Sequence, residues 1–416
     1  MAGSLELRAW TQEQKMASES RPGDFSWPLW PILPIYPYSR RRTLRREIIK
    51  DSIWTFEQLQ GIFYVVVPIR MTIVKLATGG LLVYAPVAPT RECLRLVQEL
   101  TTLHGDIRYI LLPTVSGLEH KVFVGPFARH FPQAQVFVAP HQWSFPFNLP
   151  LSWLGFPSRR TQILPEESNK APFADEFDYE ILTINLGGRT FGEVALCHRR
   201  SGTLLITDSV LSVPEEPLEI NQWDPYPLLF HARDQGSELV EDTPVNRRKG
   251  WQRISLFALY FRPSTLEVMK LGQAFRDASQ QAPDRSRKAY FGIYPFKWRQ
   301  DWQRSFAVLH SQGQLLVAPI LQTLILNRGP KESIEWADRI ARWNFERIIP
   351  CHFAAPIDAG PYQFRQAFTF LEKSLSPASL LEKKHQFLPE EDFALLKELD
   401  ETLIRRGITP LPKELR

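Results

Sequence analysis

Apolar residues follow two rhythms along this chain, and the change from one to the other marks its parts. Gly61 to Pro68 and Met71 to Leu76 alternate as strands do, Thr78-Gly79-Gly80 breaks the run, and Leu81 to Tyr84 reads as a buried strand. Thr90 then stands where an N-cap belongs, ahead of Cys93, Leu94, Leu96, Val97 and Leu100 on one side of a predicted helix. The apolar run Ile107 to Leu112 ends at Pro113, a helix is expected from His120 to about His130, and Ala134 to Ala139 gives another short strand. Such alternation with short connections means a layered α/β sheet.

Three more strands are predicted at Tyr179 to Leu186, Glu193 to His198 and Thr203 to Asp208, the last two joined by the turn Arg200-Ser201-Gly202. Residues 211 to 312 show no clear period. Regularity returns with a strand at Leu315 to Pro319, a helix over Lys331 to Trp343 and a strand at Glu346 to Pro350. The division expected is a tail, strap and basic run over 1–50, an α/β domain over 51–375 with an insertion at about 211–312, and a helical tail over 376–416.

The strap is Phe25 to Tyr38, where four prolines among large rings exclude regular helix and predict an extended segment anchored on the body of the protein. Arg40 to Arg46 is the densest basic run. It suits phosphate, nucleic acid or an anionic membrane surface, or else it is a solvated helix start. The aromatic stretch around Trp143, Phe145, Phe147, Trp153 and Phe156 reads as a lid, a grip on an apolar substrate, or packing over the sheet edge.

Composition narrows the class. Hydrophobic residues make up 44% and charged ones 23% of the chain, a globular balance, and 50 basic residues against 45 acidic give a net charge of only +5. Cys93, Cys197 and Cys351 lie far apart with no Cys-x-x-Cys pair, which argues against a disulfide framework or a cysteine-rich zinc site and favours a reducing compartment. No secretory signal is visible, and the longest apolar reach, Gly61 to Pro86, contains Arg70 and Lys75, so no transmembrane segment is expected. The location expected is cytoplasmic, or the plastid stroma in a plant relative.

Candidate chemistry collects where strands end, because exposed backbone groups and water access coincide there. Glu119 and His120 follow the run ending at Leu112, Asp208 ends Leu204-Leu205-Ile206-Thr207, and His352 follows Ile348-Ile349-Pro350. Two imidazoles and two carboxylates suit one divalent metal such as zinc, iron or manganese. His141, His198 and His231 read as structural or exposed. Cys351 reads as core packing, with a thiol pKa that its neighbours could lower.

In these residues the chain resembles the metallo-β-lactamase-like superfamily, whose first ligand motif is His-x-His-x-Asp-His after a strand and a threonine. Thr114-Val115-Ser116-Gly117-Leu118-Glu119-His120 aligns with it and keeps the last two ligands. The Gly-His-Thr-Pro-Gly turn of that family is similar to Gly188-Arg189-Thr190-Phe191-Gly192, and its final Pro-x-His to Pro350-Cys351-His352. The resemblance covers about residues 60 to 360 and implies an αβ/βα four-layer sandwich with a large helical and aromatic insertion. It also implies that one of the family's two metal sites is absent, since Val115, Gly117 and Arg189 occupy its positions. The other keeps Glu119, His120, Asp208 and His352, with Glu in place of Asp. Random decay would not spare one whole site while emptying the other. Arg189 either replaces the missing cation or forks onto a substrate carboxylate or phosphate.

The whole chain, strap and aromatic loop included, also resembles a domain-of-unknown-function family, DUF 4336, of cyanobacteria and plastids. The function expected is a mononuclear metal-dependent hydrolase of an anionic ester, thioester or phosphoester, with Asp208 and Arg189 as catalytic residues. The alternative is a non-catalytic binding or assembly factor, without metal, in which the same four groups form a hydrogen-bonded ion pair. It would use Arg40 to Arg46 and the Lys297 to Arg304 face for a protein partner. A nucleic acid partner is not expected, and peripheral membrane contact stays open.

Overall fold

The longest strands form where β-branched and aromatic residues are densest. In the computed structural model, which describes residues 22–26, 35–37, 40–115, 119–143, 148–372 and 388–413, β3 (Ile53–Ile62) and β4 (Val65–Lys75) make one antiparallel hairpin. The break expected between Pro68 and Met71 does not occur. Proline lacks the ladder N–H and is tolerated at a strand edge; β5 (Leu81–Tyr84) pairs with β4 only from Thr72 to Lys75, which leaves Pro68 an open side.

Outside β3 lie β1 (Ile35–Tyr36) and β2 (Leu44–Ile49), both on the same edge. Beyond β5 the first sheet continues in parallel through β6 (Ile107–Leu112), β7 (Gln135–Val138) and β8 (Thr161–Ile163). The second sheet starts with β9 (Phe177–Asn185), β10 (Thr190–His198) and β11 (Thr203–Leu205). The insertion has its own hairpin, β12 (Leu266–Val268) with β13 (Phe296–Trp298), and the chain returns as β14 (Arg347–Ile349) and β15 (Ile357–Asp358), in the order β15-β14-β11-β10-β9.

Alternation places one face of each sheet against the other and one against helices. Tyr84, Leu111 and Phe137 of the first sheet meet Tyr179, Val194, Leu196, Leu205 and Ile349 of the second. On the far side of the first sheet Ile73, Val83 and Ile110 pack on Cys93, Val97, Phe123 and Phe127 of helices Arg91–His104 and Lys121–His130. On the far side of the second, Leu182, Cys197 and Ile348 pack on Trp336, Ala337 and Ile340 of helix Pro330–Ile340. These layers make the αβ/βα sandwich. Thr90 caps its helix as expected, its hydroxyl accepting from the Cys93 N–H at 3.2 Å.

The region without a readable period is helical, with Tyr226–Ala232, Pro244–Tyr260, Leu271–Gln281 and Trp302–His310 around Leu228, Trp251, Tyr260 and Leu309. Leu315 to Pro319 is not a strand: Leu316 makes one bridge with Leu211, and Pro319 opens a short helix, Pro319–Leu324. Helix Ala394–Arg405 docks through Leu396 and a buried pair between Asp400 and Arg328. Among the described residues no helix is long and apolar enough to cross a membrane.

The strap is anchored where it is described, with Tyr36 buried and its hydroxyl donating to Asp224 at 2.6 Å. Trp27 to Pro34, the tail before Pro22, Phe145, Phe147 and the start of the C-terminal tail up to residue 387 lie outside the described residues. The basic run is not a helix start. It leads into β2, and Arg42, Arg45 and Arg46 pair with Glu92, Glu99 and Glu219 at 3.1, 2.8 and 3.0 Å.

Candidate metal centre

The candidate ligands enter from three strand ends, Glu119 and His120 from the loop after β6, Asp208 from the end of β11 and His352 from the end of β14, and backbone carbonyls orient both imidazoles. His352 follows β14, where a carbonyl of β4 fixes its ring: Nδ1 lies 3.0 Å from the oxygen of Pro68. A carbonyl can only accept, so Nδ1 carries the proton and Nε2 faces the cleft. There it meets Glu119 Oε2 and Asp208 Oδ1, both at 3.0 Å. One ligand atom from each of Glu119, Asp208 and His352 lies within 4.8 Å of the others.

His120 repeats the arrangement at one remove. Its Nδ1 donates to the carbonyl of Pro86 at 3.1 Å, and its buried Nε2 has no hydrogen-bond partner. The ring centroids of His120 and His352 are 6.5 Å apart. A buried nitrogen lone pair left unmatched is costly in an apolar site, and a ring fixed through the opposite nitrogen is how imidazole ligands are oriented toward a metal.

The charges follow from this geometry. Burial favours neutral His352, but the charge of Glu119 and the hydrogen bonds His352 donates to both carboxylates outweigh it, and its pKa is raised well above the usual value. Burial also opposes charge on Glu119, yet His352, then His120 and Arg41, draw its pKa down to about 2. His120 is lowered by burial and by His352, against the pull of Glu119. One positive charge is thus shared between two carboxylates.

Arg189 does not join this group. Its guanidinium lies over the ring of Trp143, 5.0 Å from the centroid. Val115 is buried, and a side chain at Gly192 would collide with it, so these two positions are packed against each other. Gly117 lies outside the described residues. Lys121 closes this side, its ammonium donating to the carbonyls of Val115 and Trp143 at 3.1 and 2.8 Å; burial lowers its pKa to about 8.

Three charged residues that sequence reasoning did not place hold the site in shape. Glu193, fully buried in β10, accepts from the N–H groups of Thr207, Asp208 and Ser209 at 2.7, 3.3 and 2.9 Å and so sets the loop of Asp208. Burial first, then Asp208, raises its pKa to about 7. Arg70, fully buried, pairs with Glu57 at 3.0 Å and donates to the carbonyls of Pro350 and Phe353, on either side of His352. Arg41 is the one member of the basic run that reaches the site electrostatically. It is buried over Phe123, bonded to Leu59 and Gln60, with its pKa lowered by burial to about 10 against the pull of Glu119. A charged residue inside an otherwise apolar strand was the available signal for Glu193 and Arg70.

Cys351 packs in the core as expected, but its thiol pKa moves the opposite way from the lowering its neighbours could have given. Burial, followed by Asp208, pushes its thiol pKa well above the ordinary value, against the smaller effect of Arg70.

The profile of a family described as a domain of unknown function, DUF4336, matches residues 50–370. The chain belongs to this family. No curated protein matches it. Solved structures similar to this DUF4336 protein include a flavoprotein from Thermotoga maritima at 7% identity and a TM-score of 0.40, over 80% of this chain and 62% of that one. The metallo-β-lactamase DIM-1 matches at 8% identity and a TM-score of 0.36, over 79% and 97% of the two chains. FIM-1, a metallo-β-lactamase of Pseudomonas aeruginosa in its mono-zinc form, matches at 10% and 0.36, over 80% and 97%. The chain thus spans less than two thirds of the length of the flavoprotein.

Proposed function

We propose that this DUF4336 protein is a mononuclear metal-dependent hydrolase. What supports the reading is the pair of imidazoles turned the same way. His352 and His120 each anchor Nδ1 on a proline carbonyl and leave Nε2 for the cleft, one beside two carboxylates and the other unmatched. Glu119, Asp208 and His352 would hold the ion, and His120 would complete the set with a small shift of its ring. The longer Glu119 side chain still reaches, since its Oε2 already lies 3.0 Å from His352.

Zinc, iron and manganese all suit two nitrogens and two carboxylates. Such an ion supplies Lewis acidity toward an ester, thioester or phosphoester and makes water a nucleophile near neutral pH. The chain's own residues do the rest. Glu193 keeps the Asp208 loop closed, Arg70 keeps His352 turned inward, and Arg189, stacked on Trp143, meets the anionic part of the substrate.

Elemental analysis of the purified chain with His120→Ala and Asp208→Ala tests this. About one metal per chain is expected in the wild type, with loss in both variants. A folded wild type that takes up none from excess zinc, iron or manganese at neutral pH refutes the reading.

A further inference from the structure

Two pairs of aromatic residues adopt left-handed backbone, and they come from distant segments that meet. The β3–β4 hairpin turns on Phe63 and Tyr64, with φ of 51° and 61°. Ile62 pairs with Val65 across it, a two-residue turn of the kind that Asn-Gly ordinarily supplies. In the insertion, Tyr290 and Phe291 have φ of 49° and 57°. Bulky side chains rarely adopt this conformation, and it persists where surrounding structure enforces it, often at functional positions.

In each pair one ring faces the protein and the other faces solvent. Tyr64 is buried, donates its hydroxyl to the carbonyl of Lys288 at 2.8 Å and packs edge-on to Tyr290, 5.1 Å between centroids. Phe63 touches Tyr290 at 5.2 Å yet is 50% exposed; Phe291 is 64% exposed, and Ile62 beside them 52%. Core packing does not account for the outward rings, because glycine or asparagine would make both turns with less strain.

Most of the charge beside this tip is positive. Asp284-Arg285-Ser286-Arg287-Lys288 leads into Tyr290, and its three basic side chains are exposed. Asp284, the one acid of that run, is half-buried and accepts from the Ser286 N–H at 2.8 Å.

We propose that this tip docks on an anionic lipid surface. Phe63, Phe291 and Ile62 enter the interfacial layer, and Arg285, Arg287 and Lys288 meet lipid phosphates. Outward rings beside a cluster of positive charge supply the two contributions on which interfacial binding depends, buried apolar area and attraction to anionic lipid. Val65 is three residues from Pro68 on β4, so the tip lies roughly 10 Å along that strand from the carbonyl that orients His352. The inference stands independently of whether a metal is bound.

Co-sedimentation of the full chain with phosphatidylcholine vesicles, with and without phosphatidylserine, tests it. Binding only to the phosphatidylserine vesicles, weakened by salt, is expected. Arg285→Gln with Arg287→Gln should weaken it about 25-fold, at about fivefold per arginine. Phe63→Asn with Phe291→Gly should abolish binding while Tm stays level or rises, because the strain is relieved. The proposal falls if the wild type ignores phosphatidylserine vesicles, if the aromatic variant binds as before, or if that variant loses Tm, which would make the rings core packing. It falls equally if light scattering shows a dimer that the aromatic variant dissolves, since the tip would then be covered by a second copy.

Discussion

The strand-end cleft has two halves, built from neighbouring loops and treated in opposite ways. In one, Glu119, Asp208 and His352 bring ligand atoms together, with His352 oriented by the Pro68 carbonyl and the Asp208 loop set by buried Glu193. In the other, Val115 packs on Gly192, Arg189 stacks on Trp143 and Lys121 closes two carbonyls. The second half has solved its packing and needs nothing further. The first keeps two carboxylates around one imidazole and has the His120 Nε2 without a hydrogen-bond partner. A polar centre retained beside a region otherwise filled in is what the proposed metal centre requires.

The sharpest way to break that contrast is to remove support from the first half. Arg70→Met leaves Glu57 charged and unpaired in the core, and a loss of about 3–5 kcal/mol in urea unfolding is expected. The double change Glu57→Leu with Arg70→Met should restore most of that stability. Metal uptake should stay impaired, because the carbonyls of Pro350 and Phe353 still lack their donor. Recovery of both would mean that Arg70 does not position His352.

The histidines outside the cleft sharpen the comparison through pH. Burial first, then neighbouring arginines, lowers His198 to about 4, and burial with arginine neighbours does the same to His231 against its bond to Phe63. Unfolding therefore takes up protons as pH falls from about 6.5 toward 4, and stability drops by roughly 3 kcal/mol for each group across that range. His352 has the opposite sign. Its raised pKa gives the metal-free protein stability that is full below about 6.5 and is lost as pH rises through the folded value. Denaturation at a series of pH values should show an acid limb that His198→Gln makes shallower by about one proton. An unchanged limb would remove His198 from the account.

In the filled half the effects are smaller. Gly192→Ala pushes a methyl into Val115 and should cost about 1–3 kcal/mol by thermal unfolding, recovered in part by Val115→Ala. Smallest is Arg189→Met, which removes one cation–π contact worth about 0.5–1 kcal/mol. Metal content should be unchanged, with a raised KM for anionic substrates. Loss of metal in this variant would place Arg189 inside the centre after all.

Much of this was legible along the chain. Strand runs ending in Glu119, Asp208 and His352 could be read because an apolar period and the turn that stops it are local properties. The hairpin was misdivided at Pro68, since tolerance of that proline depends on β5 stopping short of it. Along the chain the basic run reads as an anion-binding surface or a solvated helix start, because Glu92, Glu99 and Glu219, which pair with it, lie 50 residues and more away.

Local pattern therefore accounts for which residues stand at strand ends, and hence for the class of chemistry proposed for them. It could not show that Arg70 grips the loop of His352, that Glu193 sets the loop of Asp208, or that Arg189 turns away onto Trp143. Each of those contacts joins segments brought side by side by the stacking of two sheets. Their energies come from shared burial and matched hydrogen bonds, which exist only after the sheets have met.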